Sequence, residues 1–178
     1  MKREVALIGG GCFWCTEGIY NKVQGVISAI SGYAGGKRPN PNYEMICTGV
    51  SGYAEVVEIT YDAEVISYEN ILEIFWEIHD PTTLNAQGAD RGTQYRSVIY
   101  YQNEEQKILA KESARIKQES LRDEIVTELS PVPTFYPAEE YHQNYYALNP
   151  NQGYCAMVIA PKIQKFMMKF PKNLKNSN

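Results

Sequence analysis

Residues 9 to 18 read GGGCFWCTEG, so Cys12 and Cys15 bracket Phe13 and Trp14 directly after three glycines. Two thiols at this spacing have several chemistries open to them. They can exchange disulfides, because positions i and i+3 share a helix face at a Cα separation of roughly 5 Å, within disulfide reach. One thiol can act as a nucleophile, or the pair can supply half of a zinc site. Zinc needs two further ligands, and Cys47, Cys155, His79 and His142 do not pair up at ligand spacing. Glycines before a helix can also cradle phosphate, but the Gly-Lys-Ser/Thr ending of that loop is missing.

A nucleophilic cysteine attacks as the thiolate, and a free thiol with a pKa near ~8.5 is mostly protonated at neutral pH. The first turn of a helix offers unpaired N–H groups and the positive dipole end, both of which favour the anion. Cys12 is expected in that turn. Phe13 and Trp14 add what a disulfide exchanger does not need, apolar walls able to hold a small group against the thiol.

The elements that must position these residues follow from pattern. Glu4 to Ile8 is a short apolar run with a glycine exit, read as a buried strand, and Phe13 to Val23 suits a helix stopped by Gly25. Val26 to Tyr33 and Ala54 to Tyr61 read as strands. Ser67 caps a helix with Ile71, Leu72, Phe75 and Ile78 on one face, ended by Pro81. A long loop carrying LNAQGADRGTQ then leads into a strand over Tyr95 to Tyr101. Asn103, with Gln106 in the capping-box position, opens a polar helix, and Glu124 to Leu129 reads as a further strand. Pro131, Pro133 and Pro137 make the chain irregular before a short aromatic helix around Glu139 to Leu148.

The order β-α-β-β-α-β predicts an α+β fold with a ferredoxin-like, split βαβ core, a mixed sheet, helices on one face and an irregular C-terminal extension. One catalytic domain is expected over residues 1–178, the last part, about 161–178, being a terminal helix and tail. That tail has five lysines and no acid, with Ile163, Phe166, Met167 and Phe170 at helical spacing. A membrane or partner helix and a helix docked on its own domain both fit the pattern, and docking is expected.

Composition narrows the function. The chain has 178 residues, 44% hydrophobic and 21% charged, which fits a folded domain with a sizeable core. A net charge of −4 offers nothing to a nucleic-acid backbone. Fourteen tyrosines against five phenylalanines suit a partly polar pocket as well as ordinary amphipathic positions. The start, MKREVALIGGG, lacks the apolar core of a secretory signal, and no run is long enough to span a membrane. A cytoplasmic protein with resting thiols reduced, bound neither to membrane nor to nucleic acid, is expected.

Four stretches carry a family likeness: GCFWC, SGYAGGKRPNPNYEMICTGVSGYAEVVEI, FWEIHDPTTLNAQGADRGTQYRSVIY and FYPAEEYHQNYY. Over about Val5 to Ile159 the chain resembles the A-type peptide methionine sulfoxide reductases, an enzyme class that reverses methionine oxidation. The resemblance implies reduction of the S epimer of methionine sulfoxide, free or in proteins, with no cofactor or metal. It implies that Cys12 attacks the sulfoxide sulfur, that Phe13 and Trp14 receive the ε-methyl group, and that Glu55 protonates the sulfoxide oxygen. Tyr43 and Tyr95 would hold that oxygen, and Asp90 would line the same pocket. Glu55 then needs a pKa raised by burial, and it lies on an otherwise apolar strand.

The product on Cys12 would be a sulfenic acid that a second thiol must resolve. Family members often use cysteines near the C-terminus and have glycine where this chain has Cys15. That departure makes Cys15 the expected resolving thiol, with thioredoxin reducing the disulfide, and leaves Cys155, in an apolar strand-like context, as the runner-up. Cys47 is expected to be a buried structural cysteine, and His79 and His142 to be structural. Tyr53 and Ala89 replace the family's usual histidine and asparagine, which bears on the pocket's hydrogen bonding. Two other functions share the Cys12–Cys15 pair: a thioredoxin-like dithiol exchanger, and a non-catalytic redox-sensing or metal-binding module.

Overall fold

The computed structural model describes residues 1–176; the last two residues of the expected tail lie outside them. Four strands make the central sheet: β1 (Arg3–Gly9), β2 (Val26–Ala34), β3 (Ala54–Asp62) and, after a small β4–β5 ribbon (Ala86–Gln87 and Asp90–Arg91), β6 (Val98–Tyr101). β1 lies between β3 and β6 and β3 pairs with β2, all antiparallel, which gives the interleaved order of the split βαβ motif. β7 (Glu128–Pro131) joins β6 in parallel and β8 (Tyr136–Pro137) joins β2 antiparallel, so the sheet is mixed as expected.

Alternation along the strands divides the core. Ala6 and Ile8 of β1, Val57, Ile59 and Tyr61 of β3 and Ile99 of β6 face the helices α1 (Phe13–Tyr20), α3 (Tyr68–Ile78), α4 (Glu104–Glu119) and α6 (Ala160–Lys169). Leu7, Ala54, Val56, Val98 and Tyr100 form a smaller cluster on the other face, covered by Phe135. The expected caps hold. The Ser67 hydroxyl accepts from Asn70 N–H at 3.1 Å, and Asn103 accepts from Gln106 N–H at 2.9 Å. The Gln106 amide also donates to Val5 O at 2.8 Å, fastening α4 to the central strand.

Several boundaries differ from the sequence reading. α1 ends at Tyr20 rather than Val23, its last residues turning sharply before Gly25. The strand expected from Tyr95 begins at Val98, because Thr93–Tyr95 wind into a short 3₁₀ turn. β7 begins at Glu128, since Val126 N–H is taken by Pro81 O at 2.8 Å and pairing with β6 starts only beyond it. The aromatic helix splits into a 3₁₀ turn, Glu140–His142, and α5 (Tyr145–Leu148), parted by Asn144 at φ +54°. Cys155 does not sit in a strand. Cys155–Ile159 form a wide π-helical turn running into α6, and Cys155, Ile159, Ile163 and Phe166 are buried at helical spacing. The terminal helix is docked on its own domain through these residues. No helix among the described residues is long and apolar enough to cross a membrane.

Candidate active site

The turn after β1 needs its glycines. A Cβ on Gly9 would stand 2.5 Å from Glu55 O, and Gly11 has φ +86° while its N–H donates to Tyr95 O at 3.2 Å. This close passage sets Cys12 over the end of β3. Cys12 is the N-cap residue of α1 rather than a member of its first turn, and Cys15 N–H donates to Cys12 O at 3.2 Å.

A cavity of about 210 Å³ opens there, lined by Cys12, Phe13, Trp14, Tyr43, Glu55, Asp90, Tyr95, His142 and Tyr154. Every residue named for the pocket from sequence is thus brought together. Glu55 shares the face of Val57 on β3, is 3% exposed, and accepts from Phe13 N–H at 3.2 Å. Burial pushes its carboxyl up to about 8, against that N–H and helped by Asp90. It is therefore a neutral acid at neutral pH, as the proton-donor role requires.

Cys12 departs from expectation. Burial, then the Glu55 charge, pushes its thiol well above the usual range, with Cys15 and Asp90 adding to the rise and only Trp14 N–H favouring the anion. One backbone donor at the helix start does not outweigh desolvation, so the resting site holds a thiol. Tyr43 opens the short helix α2 (Tyr43–Cys47), capped by Asn42, and Tyr95 closes the 3₁₀ turn. Burial raises both phenols, that of Tyr43 with help from Cys47 and that of Tyr95 with help from Glu55, so both remain O–H donors.

Sequence reasoning missed a second ring of residues. Trp14 stacks on Tyr145 at 3.8 Å between ring centroids, and its indole N–H donates to His142 Nδ1 at 3.0 Å. Burial keeps the His142 imidazole neutral, so its proton sits on Nε2, a buried atom with no partner among the described residues. The His142 ring, expected to be structural, lines the cavity beside Phe13 and Tyr43. Tyr154 donates its hydroxyl to Asp90. Glu139 accepts from Tyr43 N–H at 3.1 Å and from the Tyr33 hydroxyl at 3.0 Å, pinning α2 beside β2. The signal for this ring was present in the EEYHQNYY run, which was read as a helix and as part of the family likeness but given no role in the pocket.

The other cysteines divide clearly. All four are free thiols. Cys15 is buried in the first turn of α1, with its thiol raised to about 11 by burial against the pull of Lys162. Cys155 is fully buried in the turn that leads into α6. Cys47 is exposed at the end of α2, not buried as expected, because α2 presents Ile46 to the core instead. Tyr53 does not line the cavity; its hydroxyl donates to Arg38 O and its ring rests on Gly36. His79 stays structural, its ring bonded to Phe75 O and Ser97 Oγ beneath Gly10.

Fold and pocket together define an enzyme of α+β build with a cysteine at its cavity. The chain belongs to the peptide methionine sulfoxide reductase family, whose model matches residues 4–174. It is 56% identical over 172 residues to the peptide methionine sulfoxide reductase MsrA of Saccharolobus solfataricus, covering 97% of each chain. Its fold is similar to reduced Mxr1 of Saccharomyces cerevisiae, with a TM-score of 0.82 and 35% identity over 86% of this chain and 90% of that one. Mxr1 in complex with Trx2 matches at a TM-score of 0.59 and 26% identity, over 81% and 85% of the two chains.

Proposed function

We propose that this chain, acting as one catalytic domain in the cytoplasm, reduces the S epimer of methionine sulfoxide, free or in proteins. The observation that carries the reading is a thiol and a neutral buried acid facing one aromatic-walled cavity. Phe13 and Trp14 hold the methyl group, and the hydroxyls of Tyr43 and Tyr95 donate to the sulfoxide oxygen. Asp90, held by Tyr154, lines the rim. Cys12 sulfur attacks as Glu55 protonates the departing oxygen. The sulfide leaves reduced, and the oxygen ends on Cys12 as a sulfenic acid. Cys15 thiol then displaces that hydroxyl as water, giving a Cys12–Cys15 disulfide that thioredoxin reduces by exchange. Support for thioredoxin comes from the Mxr1–Trx2 pair. Cys15 is preferred over Cys155 because it sits one helical turn from Cys12, whereas Cys155 is fully buried in the turn that leads into α6.

Separate R and S epimers of a blocked methionine sulfoxide, given to wild type and Cys12→Ser under dithiothreitol, test this. Loss of the S epimer only, and only with wild type, is expected. If neither epimer is reduced by folded wild type, the reading is wrong. A disulfide exchanger would have no use for a neutral acid beside its thiol in an aromatic-walled cavity, and reduction of an insulin-type disulfide without any sulfoxide turnover would be its mark.

A further inference from the structure

The chain has five methionines, and none of them is among its buried apolar residues. Methionine is ordinarily one of the residue types most often found buried. Here Ile, Leu, Val, Tyr and Phe build the core, while Met168 is 83% exposed, Met157 80%, Met1 75% and Met167 39%. Oxidation makes methionine polar and disrupts a core that contains it. Met45 alone packs, partly buried, against the core, and the exposed thioethers meet an oxidant first.

We propose that a second copy of this chain, oxidised at Met157 and Met168, is a substrate of the enzyme. The inference rests on the reductase reading above. Neither side chain lines its own cavity. Met157 projects from the turn before α6, whose backbone is held by Ala156 N–H donating to Gln152 O at 2.8 Å. Met168 projects from the last turn of α6, whose other side is fixed in the core by Ile163 and Phe166. Both thioethers stand clear of the surface, and a cavity of about 210 Å³ has to admit only a side-chain end. Charge favours the encounter at Met168. It lies in the segment from Pro161 on, which carries five lysines and no acid. The receiving cavity has Asp90 in its lining, with Glu44 and Glu139 next to Tyr43.

The chemistry closes. A hydroperoxide gives one oxygen to the thioether, forming the sulfoxide and an alcohol or water. Cys12 of the other copy takes that oxygen as its sulfenic acid and restores the thioether. Cys15 releases the oxygen as water, and a dithiol reductant carries away the disulfide. The surface methionines thereby become an oxidant trap that the protein resets.

To test this, Cys12→Ser is oxidised with hydrogen peroxide, freed of oxidant and mixed with a catalytic amount of wild type and dithiothreitol. Sulfoxide at Met157 and Met168 is followed by mass spectrometry of proteolytic peptides, and a blocked methionine S-sulfoxide is assayed with the same wild-type stock. Loss of about half of the sulfoxide at each site, one epimer of two, is expected. Full retention at both sites while the blocked substrate is reduced overturns the inference. Failure to reduce the blocked substrate overturns the reductase reading and this with it. Wild type alkylated at its cysteines and then oxidised serves as the substrate should Cys12→Ser not fold.

Discussion

Replacing Glu55 by glutamine isolates the proton on which the proposed chemistry depends. Burial raises the Glu55 carboxyl from 4.5 to about 8. Between those two values the unfolded chain has lost the proton and the folded chain keeps it, so stability falls as pH rises through the window. At about 1.4 kcal/mol per unit over roughly 3.5 units, the cost reaches about 5 kcal/mol at the alkaline end. Glutamine keeps an oxygen for Phe13 N–H and has no proton to lose. Glu17, raised by burial to about 7, bends the curves of both proteins alike, so their difference reports Glu55 alone. Urea denaturation of wild type and Glu55→Gln across the window should show the variant's relative stability growing by about 1.4 kcal/mol per pH unit and levelling above about 8. The same variant should reduce sulfoxide about 10²–10⁴-fold more slowly in a single turnover. It should also lack the decline that wild type shows as Glu55 ionises. Parallel stability curves would mean that Glu55 ionises in the fold at its usual pH, and the neutral-acid argument would be refuted.

The resolving step separates two thiols. Cys15→Ser should reduce one equivalent of sulfoxide normally yet lose at least about tenfold in turnover with thioredoxin, while Cys155→Ser stays near wild type; steady-state assays with the opposite pattern would make Cys155 the resolving thiol. Tyr43→Phe and Tyr95→Phe should each lower kcat by about 10² with folding stability changed by under about 1 kcal/mol, because each removes a donor to the reacting oxygen; unchanged kcat would remove that residue from the oxygen site. Phe166→Ala should cost about 3–5 kcal/mol in urea denaturation, since Phe166 anchors α6 in the core; a loss below about 1 kcal/mol would mean α6 contributes little to the fold.

How far the sequence could be read depended on where each structure's causes lie. The split βαβ order was legible because strand alternation and side-chain caps are local, and Ser67 and Asn103 cap as their types require. The failures came where distant partners decide. β7 starts late because a carbonyl after α3 takes Val126 N–H. The aromatic helix breaks at Asn144 because its N–H is held by the buried Glu17 carboxylate at 3.0 Å, more than a hundred residues away in sequence. GYCAMVIAP has no alternation to separate strand from helix, and burial every fourth residue settles it as helix only in context. The same limit applied to the site. Motif context gathered seven of the cavity's residues, but His142 enters through a hydrogen bond to Trp14, a partner that spacing along the chain does not disclose.

The protonation of Cys12 shows how the pocket's parts constrain one another. Helix position argued for a thiolate, yet Trp14 N–H alone favours the anion, against burial and the Glu55 charge. Loss of a proton from Cys12 or Glu55 makes loss of the other harder, so the two titrate as a pair, and at neutral pH the pair is neutral. Oxygen transfer from a neutral sulfoxide to a neutral thiol leaves a neutral sulfide and a neutral sulfenic acid, so no end state buries a net charge. The same neutrality shields the resting enzyme, because the thiolate is the form that oxidants and alkylating agents attack. Iodoacetamide should therefore modify Cys12 slowly at neutral pH, with a rate that climbs only above the ordinary thiol pKa of about 8.5. Exposed Cys47 in the same molecule is an internal reference, and peptide mapping should find it alkylated first. Preferential alkylation of Cys12 at neutral pH would show a thiolate already formed, and the argument that burial and Glu55 hold it as a thiol would fail.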